Sequence, residues 1–126
     1  MSVTRNKYWR SRKGVHFEKL ALEYLLTQGL HLLTTNYRCV MGEIDLVMRH
    51  DDSLVFIEVR YRAGNDYGGA LATITGAKQH KIRNAARHFL LCQKQYQNLA
   101  CRFDVVGVET GKSGETLITW VSNAFY

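Results

Sequence analysis

Between Val15 and about Gln28 the apolar residues Phe17, Leu20, Ala21, Tyr24 and Leu25 recur every three or four positions. That period predicts an amphipathic helix, and Gly29 suits its C-terminal cap. The period then changes. "LHLLTTNYRCV" is an apolar and β-branched run that reads as a strand, and "MGEIDLVMRHDDSLVFIEVRYR", residues 41–62, reads as two more strands around the turn-type cluster "HDDS". Glycine-rich "RAGNDYGGALATIT" predicts a loop. A second helix is expected from near Thr75 to about Gln95, with Ile82, Ala85, Ala86, Phe89 and Leu90 as its buried stripe. "CRFDVVGVET" and "LITWV" read as strands separated by a turn at "GKSG". Helix, three strands, helix, two strands is an α/β order, with a mixed sheet flanked by helices.

The strands of residues 41–62 carry acids among their apolar positions. Glu43, Asp45 and Glu58 sit beside Ile44, Leu46, Val47, Phe56, Ile57 and Val59, where a buried carboxylate is costly. If Asp51 and Asp52 form a two-residue turn, His50 faces Ser53, Asp45 lies opposite Glu58, and Glu43 lies opposite Arg60. A four-residue loop from His50 to Ser53 keeps that pairing, and an odd-length loop destroys it. Alternation then puts Glu43, Asp45, Glu58 and Arg60 on one face and Ile44, Leu46, Ile57 and Val59 on the other. Carboxylates opposed at about 5 Å between Cβ atoms repel, so they must share a proton, find cations or bind a metal.

Two acids with water in the remaining positions suit magnesium or manganese, and such a metal can polarise a phosphodiester and acidify the attacking water. The plain alternative is an acidic face open to solvent, with Glu43 and Arg60 as a cross-strand ion pair. The apolar density of "VFIEV" weighs against it, because it resembles a strand covered on both faces.

Charge distribution strengthens the phosphodiester reading. The chain has 126 residues and a net charge of +6. Arg5, Lys7, Arg10, Arg12 and Lys13 all precede the first acid, Glu18. No acid falls between Asp66 and Asp104, whereas Lys78, Lys81, Arg83, Arg87 and Lys94 do. Two basic blocks around an acidic middle point to a polyanion meeting a carboxylate-lined centre. The length suits one domain, residues 14–126, behind a flexible basic arm of residues 1–13. No run reaches the roughly 20 apolar residues of a membrane helix, and the basic start lacks the apolar core of a secretory signal. The three cysteines lack C-x-x-C spacing, which favours reduced thiols in a cytoplasmic protein over disulfides or structural zinc.

Asp45 followed by "Glu58-Val59-Arg60" resembles the signature of the PD-(D/E)XK nuclease superfamily, an acid at the end of one strand and E-x-K on the next. From Gly14 onward the chain is similar to a narrower group, the small bacterial YraN-like proteins. The stretches "FEKLALEYL", "GEIDLV", "VFIEVRYR", "AKQHKIRNAARHFL", "CRFDVV" and "SNAF" carry that likeness. The resemblance implies a restriction-endonuclease-like fold and Mg2+- or Mn2+-dependent cleavage of DNA, including branched DNA of the Holliday-junction type. It implies Asp45, Glu58 and the main-chain carbonyl of Val59 as metal ligands, with Glu18 on the first helix completing the metal's water shell. It also implies a homodimer, although no segment here marks a dimer surface.

Arg60 stands where the motif carries lysine. Arginine stays protonated, so it can clamp phosphate and stabilise transition-state charge but cannot act as a base. Lys78 or Lys81 could supply the missing amine, and Lys78, one turn before the stripe residue Ile82, is the one expected to face inward. Arg60 is also the feature favouring the alternative function, a catalytically inactive nuclease-fold module that binds branched or single-stranded nucleic acid.

Arg62 and Tyr67 by the glycine-rich loop, with Lys81 and Arg83 on the second helix and the basic arm, complete the expected nucleic-acid-binding set. The histidines show no paired metal spacing, and His16, His80 and His88 are expected on the surface. Asp104 is expected to hold a helix residue.

Overall fold

The computed structural model describes residues 12–63 and 74–126. Helix α1 (Arg12–Thr27) leads into strands β1 (His31–Cys39), β2 (Gly42–His50) and β3 (Ser53–Ala63). Helix α2 (Gly76–Cys92) and a 3-10 turn (Lys94–Tyr96) precede β4 (Ala100–Thr110) and β5 (Thr116–Phe125). The strands form one sheet in chain order, with β3 in the middle. All neighbours are antiparallel except β3 and β4, which run parallel. A parallel pair needs a crossover between its strands, and α2 supplies it. This is the α/β mixed sheet flanked by helices that the order of elements predicts.

Each helix closes one apolar layer. Phe17, Ala21 and Leu25 of α1 pack with Leu46, Met48, Val55, Ile57, Val59, Val106 and Val108. Ile82, Ala85, Ala86 and Phe89 of α2 pack with Ile44, Val47, Leu54, Phe56 and Val105. Strand β3 therefore alternates between two cores and is apolar almost throughout, as expected of a central strand. At its far end Tyr61 stacks on Phe17, ring centroids 3.9 Å apart.

The turn between β2 and β3 is the one expected. His50 pairs with Ser53, and the register continues through Leu46 and Ile57. Asp51 adopts a left-handed φ of +53°, which aspartate tolerates better than most residues. The expected alternation holds only in part. Ile44 belongs to the core under α2, whereas Leu46 belongs to the core under α1. Residues two apart on a regular strand share a face, so β2 breaks its alternation around Asp45.

Element ends also differ. Helix α1 starts at Arg12, inside the expected arm, and residues 1–11 lie outside the described residues. Helix α2 stops at Cys92, because Gln93 leaves helical geometry at φ −123° and ψ 74°. Strand β5 runs past Val121 to Phe125.

Candidate functional site

At the break in β2 a side chain stands in for the ladder. Beyond the last ladder pair, the Val59 N–H donates to Oδ2 of Asp45 at 2.8 Å. A side-chain carboxylate thus takes the role of a main-chain carbonyl, and the strands stay tied while β2 changes its facing. Hydrogen bonds to an ionised acceptor are among the stronger ones. The β2–β3 ladder ends at Leu46 and Ile57, so the expected ladder pairs Asp45–Glu58 and Glu43–Arg60 do not form, and Asp45 meets β3 through its side chain instead. Glu43, Asp45 and Glu58 are 4%, 0% and 2% exposed, which excludes the solvated acidic face.

Cations reach this site from two elements. Arg60 Nε lies 3.6 Å from Glu58 Oε2, and Lys78 Nζ lies 3.7 Å from the same oxygen. Lys78 comes from the first turn of α2, where Thr75 caps the helix by accepting the Lys78 N–H at 3.1 Å. A cation there opposes the helix dipole, and α2 has no acid in its first turn. Glu58 on the sheet supplies the countercharge instead.

The helix can come this close because of Gly42. A Cβ at that position would meet the Lys81 carbonyl oxygen at 2.8 Å. Sequence reasoning passed over Gly42, although its place directly before Glu43 was visible.

The other expected residues divide. Glu18 is half-buried on α1, next to the Phe17 that stacks on Tyr61. Lys81 is exposed. Arg83 is half-buried, and its Nη1 donates to the Tyr126 carbonyl at 2.9 Å. Arg5, Lys7, Arg10 and Tyr67 lie outside the described residues, and Arg12, Lys13 and Arg62 are placed by their backbone alone.

Two clusters depart from expectation. Asp104 is fully buried, but it holds no helix residue. Its carboxylate accepts from Arg102 Nε at 3.1 Å, from Trp120 Nε1 at 2.9 Å and from the Asn123 N–H at 2.8 Å. Those donors stand on its own strand and on β5, beside the shift in the β4–β5 register between Phe103 and Val105. His88 is half-buried, not on the open surface, and its Nδ1 is hydrogen-bonded to the Tyr37 hydroxyl. Cys92 Sγ lies 3.9 Å from the same nitrogen. Burial pushes the Tyr37 phenol up to about 12, with further contributions from Cys92 and Cys39.

The donor set suits a hard divalent cation, since Asp45 and Glu58 offer carboxylate oxygens from adjacent strands. Among the described residues no group of three or more His, Cys, Asp or Glu side chains is arranged to hold a metal. A metal here would therefore rest on two carboxylates, a main-chain oxygen and water. Among the described residues no helix is long and apolar enough to cross a membrane.

The model of the uncharacterised protein family UPF0102 matches residues 17–108, from the Phe17 of α1 into β4. The chain belongs to this family. Of its UPF0102 relatives, one from Aeromonas hydrophila is 49% identical over 117 residues, covering 90% of this chain and 84% of the relative. One from Alcanivorax borkumensis is 44% identical over 119 residues, covering 93% and 95%. UPF0102 is thus the narrower, YraN-like group that the sequence stretches resemble. Among solved structures, Pyrococcus furiosus SfsA in complex with Ca2+ is similar over 86% of this chain and 62% of that one. Its identity is 14% and its TM-score 0.38, too distant a likeness to carry an argument.

Proposed function

We propose that this protein is a metal-dependent endonuclease that hydrolyses DNA phosphodiester bonds, including those of branched DNA. The observation that carries the reading is the pair of buried carboxylates, Asp45 and Glu58, with Lys78 and Arg60 both within 3.7 Å of Glu58. Burying acids at a strand break, with half-exposed cations at their edge, is expensive for stability, and such arrangements concentrate at sites of chemistry.

Asp45 and Glu58, with the Val59 carbonyl, would hold Mg2+ or Mn2+. When bound, that ion supplies Lewis-acid polarisation of the phosphate and a lower pKa for the attacking water. Asp45 is fixed by the Val59 N–H. Lys78 and Arg60 bring positive charge to the edge of the acids, where they draw in a phosphate and offset the charge that grows on it. Glu18 orders water from the α1 side. Lys81 contributes sequence-independent backbone contacts.

Purified protein with Mg2+ or Mn2+ is expected to cut linear, flapped or four-way-junction DNA, and Asp45→Ala and Glu58→Ala are expected to abolish cutting. No cleavage beyond those variants on any substrate refutes the enzyme.

A second reading has its own observation. Arg60 and Lys78 both engage Glu58 Oε2, which is the arrangement of a site closed by its own cations. In that case the protein binds DNA without cutting it. Salt-sensitive DNA binding that survives Asp45→Ala, with no Mn2+ uptake by calorimetry, decides for this reading.

A further inference from the structure

Cys39 pairs with Gly42, so Val40 and Met41 are the two central residues of the hairpin loop between β1 and β2. Loops of that length favour glycine, asparagine or aspartate, whose backbones accept the turn. A β-branched valine and a methionine have no such role. Nor do they serve a core, since Val40 is 98% exposed and Met41 41%.

Their position is more informative than their exposure. Glu43, almost fully buried, follows Met41 by two residues. Arg38, exposed, pairs in register with Glu43 on the same hairpin. Gly42 abuts the backbone of Lys81, whose side chain is exposed, and Lys78 lies one turn earlier on that helix beside Glu58. An apolar tip therefore projects beside the acids with cations on both flanks. Proteins that distort DNA use this combination, basic residues along the phosphates and a small apolar wedge between bases. A lipid surface is disfavoured because two side chains are too little apolar area for stable anchoring.

We infer that Val40 and Met41 form a wedge that enters between bases of DNA held at the carboxylate site, giving preference for branched or unstacked steps over continuous duplex. This rests on the nucleic-acid reading of that site and names the feature of the substrate it selects.

The test uses the full chain without divalent metal, so that binding is read apart from cleavage. Flapped and four-way-junction DNA carry 2-aminopurine at the branch, and matched linear duplex carries it at the same position. Wild-type protein is expected to raise the fluorescence at the branch and to bind branched DNA more tightly than linear. The Val40→Ser, Met41→Ser double variant is expected to lose the rise and roughly tenfold of the preference, the order of one lost stacking contact. Its unfolding temperature should not change, because both side chains are exposed.

A double variant that keeps both the rise and the preference overturns the wedge. If wild-type cleavage still depends on Asp45, the nuclease reading then stands without it. Wild-type protein that binds no DNA overturns both. Binding to phosphatidylserine vesicles that the double variant loses, without any preference for branched DNA, overturns the wedge in favour of a lipid surface.

Discussion

Gly42 is where the geometry of the site can be tested with least disturbance. Replacing it with alanine adds one carbon, which would lie 2.8 Å from the Lys81 carbonyl oxygen and 3.3 Å from the Lys81 carbonyl carbon. A carbon–oxygen contact needs about 3.4 Å, so α2 or β2 must yield by roughly 0.6 Å. The neighbour is helix backbone and cannot rotate away as a side-chain end would. Gly42 has φ +159°, a backbone conformation that L side chains rarely adopt, so backbone strain adds to the clash. Inserting a carbon into a packed contact costs about 1–3 kcal/mol. For a domain of this size that lowers the unfolding temperature by about 4 °C per kcal/mol.

Gly76→Ala is the control, since a Cβ there meets nothing within 4 Å and lies at the start of α2. It should be neutral or stabilise by up to about 1 kcal/mol. Moving α2 also moves Lys78 away from Glu58, so Gly42→Ala should reduce DNA cleavage at temperatures where the variant remains folded. Urea unfolding and a cleavage assay on the two variants check both parts. Gly42→Ala with an unchanged urea midpoint would refute the close approach, and an unchanged cleavage rate would refute its link to Lys78.

The remaining predictions concern other buried groups. Asp104→Ala leaves the Trp120 indole, the Asn123 N–H and Arg102 without their acceptor, and should cost about 3–5 kcal/mol by urea unfolding followed in Trp fluorescence. Asp104→Asn should lose less, and an unchanged midpoint for Asp104→Ala would contradict the hub. Tyr37, raised to about 12 by burial and by Cys92 and Cys39, should ionise after the ordinary tyrosines in an ultraviolet titration. Because its folded value lies above the unfolded 10, its contribution to stability is complete below pH 10 and is lost as pH rises towards 12. Tyr37→Phe should remove both signals. Lys78→Met should lower cleavage by about a hundredfold, the scale of one lost charge-stabilising group, while DNA binding changes much less. Lys78→Arg keeps the charge without a titratable amine, so recovery in that variant shows that charge alone is needed.

Much of this architecture was legible because period and turn chemistry act locally. The "HDDS" turn set the β2–β3 register from His50 and Ser53 as far as Leu46 and Ile57. What escaped the sequence was geometry that departs from the ideal strand. Alternation predicted that Ile44 shares the side of Leu46, but the two enter different cores, and between them the Asp45 side chain accepts the Val59 N–H. Asp104 departs from expectation for a related reason, since the irregular β4–β5 pairing beside it brings the Trp120 indole and the Asn123 N–H to its carboxylate. The Tyr37, His88 and Cys92 cluster joins β1 to α2 across fifty residues, and no local pattern announces such a meeting.

The arginine at position 60 shows why a linear motif is an incomplete description of a site. E-x-K is compact in sequence because alternate residues on one strand share a face. The chemistry requires a cation beside the carboxylate and is indifferent to which element carries it. Here two cations converge on one oxygen of Glu58, Arg60 from β3 and Lys78 from α2. The lysine depends on the Thr75 cap that starts the helix and on the glycine that lets the helix approach β2. Under the proposed nuclease reading, Arg60 clamps phosphate with its fixed charge and Lys78 supplies the second cation. On this reading the site reaches from Gly42 to Lys78 across three elements. On the same reading arginine at position 60 is tolerated because Lys78 also brings a cation to Glu58.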